Sequence, residues 1–193
     1  WAMVRTKHLL DDVSAAYDAY KFHYVYRAVY DYIVNDLSAV YMDATKDRLY
    51  SEAPDSPRRR AVQTVLMNIL EVLVRVLAPI LSFTTDEVWE SYPQGLRSEN
   101  YPQAMRERAG RPTNVQLAGW PKASDFAPAI PADGERVSED FGVIMGVREV
   151  VTKALEDARG QKVVNKSQEA AVVVTAPRAV LDAVERYDAA VFE

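Results

Sequence analysis

From residue 22 onwards, apolar side chains recur in steps of three and four: Val25, Tyr26, Val29, Ile33, Leu37, Val40, Tyr41 and Ala44. Sustained over about six turns, this spacing predicts one amphipathic helix over residues 22 to about 47. Its stripe is too wide for a loop to cover, so other helices must pack on it. The chain supplies them. Residues 3–17 read as a first helix that buries Val4, Leu9, Leu10, Val13 and Tyr17. After a break at SEAPDSP, Ser56 is a good N-cap and Pro57 suits a first helical turn, where its missing N–H costs nothing. A third helix follows to residue 77 or 78, burying Ala61, Val65, Leu66, Ile69, Leu70, Leu73 and Leu77, and Pro79 ends it. Thr84 and Glu87 have capping-box spacing, which predicts a short fourth helix over TDEVWESY.

Between residues 93 and 135 prolines and glycines are frequent and no period survives, so a long irregular connection is expected, with a short extended piece at NVQLAGW. A fifth helix is expected over residues 137–158. AAVVVTA then reads as a buried strand and PRAVLDAVERY as a last helix. The expected fold is therefore mainly α: an antiparallel helical bundle over residues 1–135, then a small α/β unit over 136–193 made of the fifth helix and a strand–helix junction. At 193 residues, 49% hydrophobic and 26% charged, the chain can bury a core of that kind.

No apolar run reaches the roughly 18 to 20 residues a membrane helix needs, and the opening WAMVRTKHLLDD does not resemble a signal peptide. With zero cysteines there is no disulfide and no thiolate chemistry, and a cytoplasmic location is expected. An opening directly on helical periodicity suggests a piece of a longer protein. The sequence holds no GxxxxGK[ST], GxGxxG or GxSxG motif. His8 and His23 fall in different helices with no third ligand nearby, so no metal site is expected. Asp43 and Asp47 share a helical face with Lys46 and Arg48, which reads as a solvated charged surface rather than a catalytic carboxylate pair.

Eight of the eleven tyrosines lie between Tyr17 and Tyr50. Aromatic platforms can stack RNA bases, but Tyr26 and Tyr41 fall on the apolar stripe and are expected to pack in the core or at its boundary. The basic residues are more telling. Arg58, Arg59 and Arg60 occupy the first turn of the third helix, where cations oppose the helix dipole. Either they and the backbone N–H groups form a phosphate site, or they pair with Asp47, Glu52 or Asp55. On the fifth helix Arg148 and Arg159 are eleven positions apart and differ by about 20° in direction, and Lys162 falls within about 40° if the helix reaches it. All three flank an apolar face of Val147, Val150, Val151, Ala154 and Ala158, either against a phosphate backbone or laid over the bundle. The net charge of −5 runs against the basic excess common in nucleic-acid binders, although a local patch makes such contacts.

Three stretches carry a resemblance. NDLSAVYMDATKDRLY (residues 35–50), RRRAVQTVLMNILEVLVRVLAPILSFTTDEVWESYP (58–93) and VREVVTKALEDARGQKVVNKSQEAAVVV (147–174) together resemble the anticodon-binding region of bacterial-type isoleucyl-tRNA synthetases. The opening Trp-Ala-x-x-Arg matches the point where catalytic domain gives way to bundle in that family. Synthetases for valine, leucine and methionine share the bundle and the LAPILSFTTDEVW pattern, while KDRLY and the Arg159 to Ala170 pattern R-x-x-K-x-x-x-x-S-x-E-A favour isoleucine. Residues 94–113 lie outside the likeness. Asn165 stands where the family usually has glycine, though asparagine also tolerates a left-handed turn, and Gln168 replaces a usual leucine. The family's HIGH and KMSKS signatures and its cysteine-ligated zinc module are absent from this sequence.

The resemblance implies a tRNA-binding domain that grips the anticodon stem-loop for an ATP- and magnesium-dependent ligase. That ligase's catalytic and editing domains would lie elsewhere in the parent chain, and this part needs no cofactor or metal. By the same resemblance, the residues expected to contact tRNA are Lys46 and Arg48, then Arg58, Arg59, Arg60 and Gln63. On the fifth helix and beyond, the candidates are Arg148, Lys153, Arg159, Lys162 and Lys166. The competing reading is a helical protein-interaction scaffold without RNA binding.

Overall fold

The structure, a computed structural model, describes residues 1–91, 114–166 and 169–187. Its helices are α1 (Ala2–Asp18), α2 (Phe22–Asp31), a π-helical stretch (Tyr32–Met42), α3 (Asp43–Tyr50), α4 (Pro57–Leu77), α5 (Ser82–Glu90), α6 (Gly134–Gly160) and α7 (Arg178–Glu185). Among the described residues there is no strand, and no helix is long and apolar enough to cross a membrane.

Three segments form the centre. α1 and α2 are antiparallel: Tyr17 meets Phe22 edge-on at the turn between them, while Arg5 reaches Asp36 at 2.8 Å near the start of α1. α4 packs on α1, and the Tyr17 hydroxyl donates to the Val76 carbonyl at 2.8 Å, which fixes the C-terminal ends of α1 and α4 together. The core between them holds Leu9, Val13, Val25, Val29, Ile69 and Val72. A second cluster of Val74, Ala78, Trp89 and Val115 lies on α4 towards α5. Wedged between two clusters, α4 is buried at Val62, Val72, Val74 and Val76, a wider face than the expected single stripe, and Ala61 is exposed. Ser56 caps it, accepting the Arg59 N–H at 3.5 Å while its hydroxyl donates to Glu52.

The long second helix runs on to Tyr50, with an internal change of pitch. Its buried positions step Val25, Val29, Tyr32, then five residues to Leu37. A five-residue step matches the i→i+5 ladder of a π-helix. The pitch change brings Tyr32 inside, where its hydroxyl lies 2.8 Å from the Thr6 hydroxyl. Thr6 already donates to the Ala2 carbonyl, so Tyr32 is the donor. Tyr26 sits 100° round the helix from Val25 and is 66% exposed, so the expectation that it packs in the core is corrected. Tyr41 is half-buried, as expected.

Other expectations are corrected locally. α5 starts at Ser82, and the Thr84–Glu87 capping box is not used, since both residues lie inside the helix. Residues 115–117 form a tight 3-10 turn rather than an extended piece, because the Asn114 side chain accepts the Gln116 N–H and Asp86 accepts the Val115 N–H. The two further turns that follow, Ala123–Asp125 and Ala127–Ala129, are clasped to α4 by Arg75, which donates to the Gly119 and Ala118 carbonyls and lies 3.3 Å from Asp125.

α6 runs antiparallel to α1: a Cβ on Gly134 would lie 3.1 Å from Val4, and Phe141 stacks on Trp1 at 5.4 Å. Beyond Ile144 it leaves the core, and Val150 is 70% exposed. α7 is held back on it by Asp140, whose two oxygens each lie 2.7 Å from Arg186 while Tyr187 donates at 3.0 Å. The strand expected at AAVVVTA is not formed: residues 171–176 are irregular and Val173 is 89% exposed. A strand needs a neighbour for its N–H and C=O groups, and no described segment lies beside this one as a strand.

Candidate nucleic-acid interface

The continuous run from α2 through the π stretch carries α3 past the start of α1, to the end of the bundle where α4 begins. There, the side chains of three helices come close. Asp43 on α3 lies 3.0 Å from Lys46 and 3.7 Å from Arg148 of α6. Hydrogen bonding to Asp43, and then its charge, raise the Lys46 pKa, so the ammonium form is favoured. Asp43 is thus the shared counter-ion of two cations from separate helices. Sequence reasoning had placed it on a merely solvated face. Its spacing to Lys46 was readable; its meeting with Arg148, 105 residues later, was not.

Arg48 is half-buried beside Tyr41. Burial raises the Tyr41 pKa, and the Arg48 charge opposes the rise. Of the arginine triplet, Arg58 lies 3.5 Å from a Glu52 carboxylate oxygen and Arg59 donates to the Glu52 carbonyl at 2.8 Å. The two alternatives for the triplet therefore divide between its members: Glu52 engages the first two, while Arg60 points to solvent. Gln63 is exposed one turn further along α4. This makes a compact set, with Lys46, Arg58, Arg60 and Arg148 exposed or half-exposed around the Asp43 and Glu52 carboxylates.

The remaining candidates are dispersed. Lys153 and Arg159 are exposed on the projecting part of α6, and Arg159 lies roughly 16 Å beyond Arg148 at 1.5 Å per residue. Lys153 shares a shallow hollow with Met145, Arg148, Thr152 and two glutamates, Glu149 and Glu156. Lys162 is not on the stripe, because α6 ends at Gly160 and Lys162 takes a left-handed backbone with φ of 60°. That bend falls at Lys162 rather than at Asn165, where the family glycine had pointed. The Asn165 and Lys166 N–H groups instead donate to the Glu169 carboxylate at 3.2 and 3.4 Å. Gln168 and the loop at 94–113 lie outside the described residues. The apolar face beside the stripe is not covered: Val147, Val151 and Ala158 are half-buried, and Val150 and Ala154 are exposed.

Chemically this end can bind anions. Guanidinium and ammonium groups from α3, α4 and α6 surround the start of α4, whose N-terminal N–H groups add positive potential.

Residues 1–174 match the family model described as the anticodon-binding domain of tRNA ligase. Among curated proteins, the chain is 42% identical over 173 residues to an isoleucine–tRNA ligase of Moorella thermoacetica, covering 89% of this chain and 17% of that protein. It is 38% identical over 182 residues to the isoleucine–tRNA ligase of Carboxydothermus hydrogenoformans, covering 94% and 18%. Against the isoleucine–tRNA ligase of Geobacter sulfurreducens it is 38% identical over 187 residues, covering 97% and 18%. The chain thus spans less than a fifth of the length of the relatives it matches.

Proposed function

Because this chain belongs to the anticodon-binding domain family of tRNA ligases, we propose that it holds the anticodon stem-loop of an isoleucine-accepting tRNA. Its parent would be an isoleucine–tRNA ligase of the cytoplasm, whose catalytic domain uses ATP and magnesium and lies outside this sequence. The observation that carries the reading is the set of cations from α3, α4 and α6 gathered around Asp43 and Glu52 at one end of the bundle. Phosphate contacts from such a set position an RNA without reading its sequence, and base readout falls to the unpaired anticodon. In the parent, residues 1–135 would act as the bundle and 136–193 as a small α/β unit, with residues 170–176 recruited into a sheet.

The test is titration of the chain with an anticodon stem-loop at two salt concentrations. Binding is expected to be weak, above micromolar at physiological salt, because the whole chain carries a net charge of −5. It should weaken steeply as salt rises, since each neutralised phosphate releases about one counterion. No binding at either salt concentration overturns the reading and leaves a protein-interaction bundle.

A further inference from the structure

The opposite end of the bundle has a different chemistry. There the turns α1–α2 and α4–α5 lie side by side, fixed by the Tyr17 hydroxyl on the Val76 carbonyl and by Trp120, whose ring meets Tyr17 edge-on at 5.1 Å. Large apolar side chains stand in solvent on both turns. Tyr20 is 81% exposed, Phe83 is 93% exposed, and Phe22, Ile80 and Leu81 are between 41% and 48% exposed. Lys21, its ammonium 5.7 Å from the Tyr24 ring centroid, and Asp18 leave this end close to neutral. Along α4 it is about 30 Å from the arginine triplet, at 1.5 Å per residue.

We propose that this end is a protein-docking surface, occupied in the full synthetase by another folded domain of the same chain. The inference rests on the tRNA-ligase reading for the existence of that domain: relatives of this chain are more than five times its length, the match covering 17–18% of each. The chemistry selects protein over RNA. Ile80, Leu81 and Phe83 offer aliphatic and aromatic area with no cation to meet phosphate. A contiguous exposed apolar patch is what a protein interface needs at its centre, and isolated soluble domains rarely leave one uncovered. Two ends of unlike character also suit one domain held between two partners, the RNA on the basic end and the enzyme's body on the apolar end.

The test is the double substitution Tyr20→Asp with Phe83→Asp, made both in this chain and in the full-length synthetase that carries it. Each new aspartate suits its backbone. Tyr20 has φ of 55°, which aspartate tolerates, and position 83 lies in the first turn of α5, where a carboxylate favours the dipole. The isolated chain should keep its thermal midpoint and its stem-loop affinity. In the full-length protein the variant should speed tryptic release of the domain, and lower aminoacylation kcat/KM, by about ten- to a hundredfold, as expected for exposing one or two aromatic anchors. Unfolding of the isolated variant would show that its own chain covers the patch. Weaker stem-loop binding by the isolated variant would make it an RNA surface, and an unchanged full-length enzyme would leave the patch without a partner. Each of these overturns the proposal. Failure of wild-type stem-loop binding would instead overturn the tRNA reading alone.

Discussion

The two ends of this bundle share one core and differ in almost everything else. At the end formed by α3, the start of α4 and the middle of α6, the exposed groups are cations held loosely by Asp43 and Glu52. At the other, where α1 meets α2 and α4 meets α5, they are rings and aliphatic chains with little charge around them. α4 passes through both and is buried between two apolar clusters along the way. The contrast places stability in the middle and recognition at the tips. Changes at a tip should alter binding while leaving folding nearly alone, and changes in the middle should disable both tips together.

The largest expected effect tests that division directly. Ile69 is 2% exposed at the centre of α4, and Ile69→Ala should cost about 2–5 kcal/mol by removing buried methyl groups and leaving a cavity. Phe83→Ala, at a position 93% exposed, should change stability by no more than about 0.5 kcal/mol. Urea midpoints of the two variants measure the gap. If they shift equally, the middle and the tip are not energetically separate.

Next in size is an alkaline transition belonging to the middle alone. Burial pushes the Tyr32 hydroxyl up to about 12, partly offset by its hydrogen bond to Thr6. A raised pKa means the folded state keeps the proton that the unfolded chain loses near pH 10. The resulting stability is fully present below about pH 10 and is lost as pH rises through 12, about 3 kcal/mol in all at ~1.4 kcal/mol per unit. Tyr32→Phe should remove most of that slope between pH 10 and 12 in urea titrations. An unchanged slope would assign the alkaline loss to Tyr41, which burial also raises.

The sequence made some of this legible and hid the rest for physical reasons. Helix existence was readable because α1, α4 and α6 carry strong 3.6-residue periods, and Ser56-Pro57 announced the start of α4. The π stretch was not, since Tyr32, Ile33 and Leu37 fit either a four- or a five-residue step and only packing against Thr6 decides. Tyr26 was misplaced for the same reason: a stripe drawn at steps of three and four also takes in its neighbour at 100°. The strand at residues 170–176 was inferred from β-branched composition, which says nothing about the partner a strand requires. At the basic end, the individual cations could be named from pattern and family likeness. Their convergence on Asp43 depends on tertiary contact between residues 43 and 148.

A smaller effect separates the members of the arginine triplet. Arg59 donates to a half-buried backbone carbonyl, and Arg59→Gln should cost about 1 kcal/mol of stability through that lost hydrogen bond. Arg60 points to solvent at the same helix start, where its charge opposes the dipole. Arg60→Gln should leave the thermal midpoint unchanged or raise it slightly, and should weaken stem-loop binding. If both arginines behave alike, Glu52 does not distinguish them and the triplet acts as one charge cluster.

The smallest effect concerns the contact that joins α6 to the basic end. Arg148 and Asp43 lie 3.7 Å apart with both side chains more than a third exposed, a geometry that contributes little to folding. Arg148→Gln should therefore move stability by less than about 0.5 kcal/mol while removing one potential phosphate contact. That loss should flatten the log–log salt dependence of stem-loop binding by about one, equally for cognate and non-cognate RNA, because phosphate contacts carry no sequence information. Asp43→Asn should act in the opposite sense. It frees Lys46 and Arg148 from their shared counter-ion and removes a negative charge from the path of the phosphates, so affinity should rise while α3 stays folded. If Asp43→Asn weakens binding instead, the carboxylate serves to hold the two helices in register, and the basic end depends on that positioning more than on the number of cations it displays.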